Sequence, residues 1–169
     1  MTSSTNAPAV VVMGVSGSGK STIGALVAHE LGVPFVDGDS LHPVENIEKM
    51  AGGTALTDED RWPWLAEVGR VLATSEGGVV VACSALRRAY RDAIVAQAPG
   101  AVMVHLHGTR DVLGTRLEGR SDHFMPATLL DSQLATLELL EDDERGFVVD
   151  VDQAVPEILD EVRARLGSL

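Results

Sequence analysis

The strongest constraint is a junction: the apolar run AVVVM, Ala9 to Met13, is followed at once by GVSGSGKS, Gly14 to Ser21. A short β-branched run that stops at glycine suits a strand buried on both faces of a parallel sheet. Behind the junction Ile23, Leu26, Val27 and Leu31 recur at helical spacing, and Gly32 closes that helix. The eight residues between fit G-x-x-x-x-G-K-[ST] at every fixed position. Such glycines let successive backbone N–H groups converge on phosphate oxygens, and the helix N-terminus adds partial positive charge. Lys20 then reaches the outer phosphates and the Ser21 hydroxyl can ligate Mg²⁺. The dinucleotide pattern G-x-G-x-x-G fails, because Gly17-x-Gly19 would need glycine where Thr22 stands. The segment reads as a nucleoside triphosphate site.

The rest of the chain alternates in the same way. Pro34–Asp37, Val79–Cys83, Ala101–Leu106 and Phe147–Val151 read as four further strands. Leu41 to Leu72 reads as largely helical, with turns around Gly52–Gly53 and at Pro63. Further helices are expected over Leu86–Gln97, Asp111–Leu117 and Leu129–Leu140. In a closing helix with Pro156 near its start, Val155, Ile158, Leu159, Val162 and Leu166 share a face. Five strands alternating with helices predict a parallel sheet covered on both faces, in one domain spanning 1–169.

Charge limits the partners. Thirteen Lys and Arg face 25 Asp and Glu, a formal net charge of −12, which argues against a nucleic-acid partner. Any anionic ligand must be held by local positive charge, so the position of each basic residue carries information. The single cysteine, Cys83, suits a reducing cytosol. MTSSTNAPAV lacks the pattern of a signal peptide, and no apolar run approaches a membrane span. A cytoplasmic location with no membrane contact is expected.

The strand VVVAC ends in Cys83-Ser84, so it brings no carboxylate to the phosphate loop. DGD, Asp37-Gly38-Asp39, does so from the second strand, and in a parallel sheet all strand C-termini share one edge. One carboxylate can support Mg²⁺ while the other accepts a proton from an attacking hydroxyl. LHPVENIEKMAGG follows, with Asn46 and Lys49 expected to be exposed near a helix; His42 precedes Pro43 and suits either a turn or the site. Arg61 comes from DEDRWPWL, and CSALRRAYRD sets Ser84, Arg87, Tyr90 and Arg91 at and beyond a strand end. Trp62 and Trp64 read as packing residues, and His105 and His107 as structural. Arg116 and Arg120 flank a break before SDHFMP, where a lid of about 117–128 would carry arginine to the transferring phosphoryl group.

MGVSGSGKST, DGDSLHPVENIEKM, TDEDRWPWL, CSALRRAYRD and RLEGRSDHF together resemble the bacterial gluconokinases, compact kinases related to shikimate and nucleoside monophosphate kinases. The likeness runs from about Val10 to Gln153. It implies a three-layer α/β/α P-loop kinase fold with a five-stranded parallel sheet and a short lid. The implied activity is ATP- and Mg²⁺-dependent phosphorylation of D-gluconate at its 6-hydroxyl, usually by a homodimer. On this sequence Gly14, Ser16, Gly17, Ser18, Gly19, Lys20, Ser21 and Thr22, with Arg116, would bind ATP. Ser21 and Asp37 would hold the metal. Lys20, Asp39 and Arg120 would be catalytic, and Asp39, His42, Lys49, Arg61, Ser84, Arg87 and Tyr90 would hold gluconate. A shikimate or nucleoside kinase would share the sheet and loop. A nucleotide switch would need a long switch loop or effector module that the sequence lacks.

Overall fold

The structure, a computed structural model, describes residues 8–118 and 127–169. Strand β1 (Ala9–Met13) is the central strand, and its length matches the apolar run residue for residue. It pairs in parallel with β3 (Val79–Ala82) on one side and β4 (Val102–His107) on the other. Outside these lie β2 (Phe35–Asp37) and β5 (Gly146–Asp150), giving the order β2-β3-β1-β4-β5, all parallel.

Side chains leave a strand on alternating faces, so β1 feeds two cores. Val10 and Val12 pack with Ile23, Val27 and Ala28 of α1 (Lys20–Leu31) and Ile158 and Val162 of α7 (Val155–Gly167). Val11 and Met13 pack with Leu65, Val68 and Leu72 of α3 (Asp58–Thr74) and Ile94 of α4 (Arg88–Gln97). Both faces are therefore covered by helices, as a β-branched run without polar alternation requires. The remaining helices are α2 (Val44–Ala51), α5 (Arg110–Glu118) and α6 (Ala127–Thr136).

Three expectations are corrected. The turn anticipated at Pro63 does not form, and α3 runs through it. Proline at the sixth helical position forfeits one backbone bond, while the Thr57–Asp60 capping box and the burial of Trp64 and Leu65 in one core hold the helix. Helix α6 stops at Thr136 rather than Leu140, because the Glu138 amide donates to the Leu86 carbonyl at 2.7 Å. Asn46 is buried, not exposed; its amide nitrogen donates to the Asp60 carbonyl at 2.9 Å and to His42 Nδ1 at 3.1 Å.

His105 is fully buried on β4 beside His107, ring centroids 4.9 Å apart, and neither ring nitrogen of His105 has a hydrogen-bond partner among the described residues. Burial above all, then His107 and Arg91, holds its pKa down at about 4, against 6.5 for an ordinary histidine. Between those values the unfolded chain binds the proton and the folded chain does not, so stability falls as pH falls through that window. Urea unfolding is expected to show a loss of about 2 kcal/mol at pH 5 relative to pH 8 from this residue. His105→Leu removes that part of the slope; an unchanged slope would show that the histidine is charged or solvated in the folded protein.

Candidate active site

The carboxyl ends of the strands converge on the phosphate loop. Gly14 is pressed between two of them: its amide donates to the Ser84 carbonyl beyond β3, and a Cβ would meet the Leu106 carbonyl of β4 at 2.6 Å. With φ at 150°, the position admits glycine on both counts. Gly19 enters α1 in a left-handed conformation without any side-chain cap, and the first turn of α1 carries no acidic residue. The amides that open α1 are thus left for an external acceptor, at the positive end of the helix. Lys20 curls back to donate to the Val15 carbonyl at 3.1 Å, while Ser21 and Thr22 are exposed on the first turn. Ser18 is fully buried within the loop, its hydroxyl without a partner.

Beside the loop, Arg116 of α5 donates to the Val151 carbonyl at 2.8 Å, and its other terminal nitrogen comes within 3.8 Å of the Gly19 Cβ position. Around it Val112, Thr115, Val151 and Gln153 line a cavity of about 420 Å³. That volume falls in the general range of small-molecule pockets, and the lining also includes Asp111 and Asp152. Arg120 and most of the anticipated lid lie outside the described residues.

On the other side of the loop, the chain leaves β2 through a tight 3₁₀ turn, Gly38–Leu41. The Asp37 carboxylate accepts the Asp39 amide at 3.0 Å and so shapes the turn. Gly38 lies so close to β3 that a Cβ would meet the Ala82 carbonyl at 2.4 Å. Its own carbonyl accepts the indole N–H of buried Trp64 at 2.8 Å, and that indole stacks on His42 with ring centroids 4.1 Å apart. Trp64 is therefore a packing residue that also fixes the aspartate turn. Both carboxylates reach the phosphate loop's neighbourhood. Burial pushes the Cys83 thiol up to about 12, and Asp39, Lys20 and Asp37 all lie near enough to act on its charge.

The remaining residues form a chain of neighbours. Burial above all lowers the pKa of His42; the charge of Asp39 opposes the shift and that of Arg61 adds to it, so both act on the ring through space. Asn46 donates to His42 Nδ1, so the neutral ring carries its proton on Nε2. Arg61 lies over the Tyr90 ring at 5.4 Å and pairs with Asp58 at 3.3 Å; the same Asp58 oxygen accepts the Tyr90 hydroxyl at 2.6 Å. Arg87 is exposed at the start of α4 and has no ion-pair partner among the described residues. Half-buried Ser84 contributes its carbonyl to Gly14. Lys49 is set apart, bound to Asp60 at 2.7 Å, and holds that carboxyl down to about 2.

Arg91, grouped in the sequence with Ser84, Arg87 and Tyr90 at and beyond a strand end, does not stand open to a ligand. It is fully buried, paired with Glu144 at 2.6 Å, and donates to the carbonyls of Ala85, Leu86 and Leu139. Its bonds span the turn in which Ala85 takes a φ of 45°, a left-handed conformation costing a non-glycine residue about 1 kcal/mol. Two further residues escaped the sequence reading. Asp58 was hidden in an acidic run that reads as a helix start. Gln133 reaches the phosphate loop from α6, where no motif flags a neutral side chain.

Trp64→Phe keeps the ring but leaves the buried Gly38 carbonyl without its donor. A loss of about 1–3 kcal/mol is expected in urea unfolding. Turnover is expected to fall further than this loss of folded protein explains, since Asp39 sits on the turn. Full turnover in the folded variant would show that the turn holds without the indole.

The comparisons with known proteins agree with this geometry. The shikimate kinase family profile matches residues 16–163. The gluconokinase of Gluconobacter oxydans is 44% identical, with 90% of this chain and 88% of the relative covered. The thermosensitive gluconokinase of Escherichia coli is 39% identical over 90% of this chain and 84% of its own. A gluconokinase crystal structure from Sinorhizobium meliloti is 52% identical, with a TM-score of 0.87 over 95% of this chain and 92% of that one. The chain belongs to the shikimate kinase family and, within it, to the gluconokinases.

Proposed function

We propose that the chain transfers the γ-phosphoryl group of ATP to the 6-hydroxyl of D-gluconate. The observation that carries this reading is the pairing of two subsites across Gly14. On one side lie the uncapped start of α1 and the pocket beside Arg116; on the other lie Asp39 and a run of neighbours ending in two arginines. A linear acid can span such a run, its carboxylate at Arg61 and Arg87 and its far hydroxyl at Asp39.

In this reading the amides of Gly17 and of Gly19 to Thr22, with Lys20, hold the phosphates; those of Gly14, Ser16 and Ser18, also expected there, already donate to Ser84, Gln133 and Val15 and shape the loop instead, and Arg116 fixes the nucleotide against it. Arg120 stays a proposed catalytic residue of the lid, about 117–128, within one domain. Ser21 and Asp37 offer hydroxyl and carboxylate oxygens, a hard donor set that suits Mg²⁺. The ion would neutralise charge on the β- and γ-phosphates. Asp39 accepts the proton of the attacking hydroxyl, and His42, neutral and oriented by Asn46, hydrogen-bonds the polyol. Ser84, Tyr90 and Lys49 complete the proposed acceptor shell, Lys49 through Asp60 and α2. The family resemblance is the ground for proposing a homodimer. A cytoplasmic location is proposed on the lone cysteine, which suits a reducing compartment. Among the described residues no helix is long and apolar enough to cross a membrane.

The acceptor is tested by kcat/KM for gluconate, glucose, shikimate and nucleoside monophosphates at fixed Mg-ATP, with the phosphate position read by NMR. Glucose lacks the carboxylate and leaves basic groups unpaired, at about 1–3 kcal/mol each, so it is expected to lose at least about tenfold. Shikimate keeps the acid but is too compact to reach Asp39 from the arginines. A shikimate or nucleotide value above that of gluconate would refute the assignment.

Lys20→Ala is expected to stay folded and lose several orders of magnitude in turnover, because the ammonium faces charge that is redistributed in the transition state. Asp39→Asn is nearly isosteric yet cannot take the proton, so kcat is expected to fall far more than ATP affinity. Should Asp37→Asn do the damage while Asp39→Asn is mild, the two roles are exchanged.

A further inference from the structure

Gln133 grips the phosphate loop from a distance of 117 residues in sequence. Its side-chain oxygen accepts the Ser16 amide at 2.7 Å, and its side-chain nitrogen donates to the Ser16 hydroxyl at 3.1 Å. The helix that presents it is itself well anchored. Leu130 is fully buried, Leu134 packs on the same core, and Asp131 pairs with Arg110 of α5 at 2.8 Å. Ser16 lies between Gly14, wedged against two strand ends, and the glycines that shape the anion cradle. An amide is suited to this place. It offers one acceptor and one donor in a fixed plane, and it brings no negative charge toward a site built for phosphates.

We propose that Gln133 is a positioning residue that holds the first half of the phosphate loop in its nucleotide-ready shape. The Ser16 amide is taken up by Gln133 and that of Ser18 by the Val15 carbonyl, so the phosphate cradle falls to the amides of Gly17 and of Gly19 onward. Without the clamp the Ser16 amide seeks water and the loop samples other shapes, and nucleotide binding has to select the competent fraction. The inference rests on the loop holding a nucleoside triphosphate, and not on the identity of the acceptor.

The test is the Kd of a magnesium complex of a non-hydrolysable ATP analogue, measured by calorimetry without acceptor, at low and high salt. Steady-state kinetics and thermal unfolding are run on the same proteins. Gln133→Met keeps the volume and removes both bonds. Its Kd is expected to rise about tenfold at either salt, as for a loop competent a tenth of the time, with kcat changed by less than about threefold. Gln133→Glu can keep both contacts, since the Ser16 hydroxyl can donate to the second carboxylate oxygen, but it adds a charge near the phosphates. Its Kd is expected to rise at low salt and to recover as salt screens the repulsion. A Gln133→Met protein that binds the analogue within about twofold of wild type would overturn the proposal. So would one that only melts earlier, or one whose salt response matches that of Gln133→Glu. Failure of wild-type protein to bind the analogue would overturn the phosphate-loop reading as well.

Discussion

The site depends on how closely backbone meets backbone where β1 ends. Gly14 donates to the Ser84 carbonyl and lies against the Leu106 carbonyl, with no room for a side chain between them. Three strand ends are thereby held in register around one residue. The phosphate loop cannot drift without disturbing β3 and β4, and the loop after β3 cannot drift without disturbing the phosphate loop. Because backbone groups make the contact, the geometry hardly depends on rotamers. A second close approach, Gly38 against Ala82, repeats the device one strand further out and brings the aspartate turn into the same frame.

Around this frame the charged groups divide into two kinds. Arg91 and Glu144 form a buried pair that spans the Ala85 turn and ties the 137–145 segment to α4. Breaking such a pair costs about 3–5 kcal/mol, since the remaining charge is left in the core. Arg88 makes the same connection from the surface through Asp143 and Glu141. Arg61, by contrast, is shared between Asp58 and the Tyr90 ring, and Arg87 is exposed. An arginine already balanced by one carboxylate can accept a second without leaving a bare buried charge when the site is empty. With a formal net charge of −12 overall, any anionic ligand of the chain depends on local cations such as these.

The fold was legible in the sequence wherever local pattern and final environment agree. AVVVM has to be buried on both faces, and a five-residue run ending in glycine leaves little choice of element. The phosphate loop and DGD were legible for the same reason, since their geometry is backbone geometry set by glycine. What escaped was set by tertiary partners. Pro63 reads as a break until the capping box and the burial of Trp64 are known. The end of α6 is fixed by the Leu86 carbonyl, which lies far away in sequence. Asn46 reads as a surface residue and Arg91 as a basic group beyond a strand end, because their satisfying groups are backbone carbonyls and one remote glutamate. Gln133 carries no charge and sits in no motif, so only the folded chain reveals its contact with Ser16.

That donor and acceptor face each other across Gly14 is tested most directly by a crystal structure with gluconate and a non-hydrolysable ATP analogue bound together. The 6-hydroxyl is predicted to lie between the γ-phosphate and the Asp39 carboxylate, within hydrogen-bonding distance of the latter, with the sugar-acid carboxylate on Arg61 and Arg87. A gluconate carboxylate turned toward Asp39, or an acceptor bound away from the 3₁₀ turn at Gly38–Leu41, would contradict this arrangement.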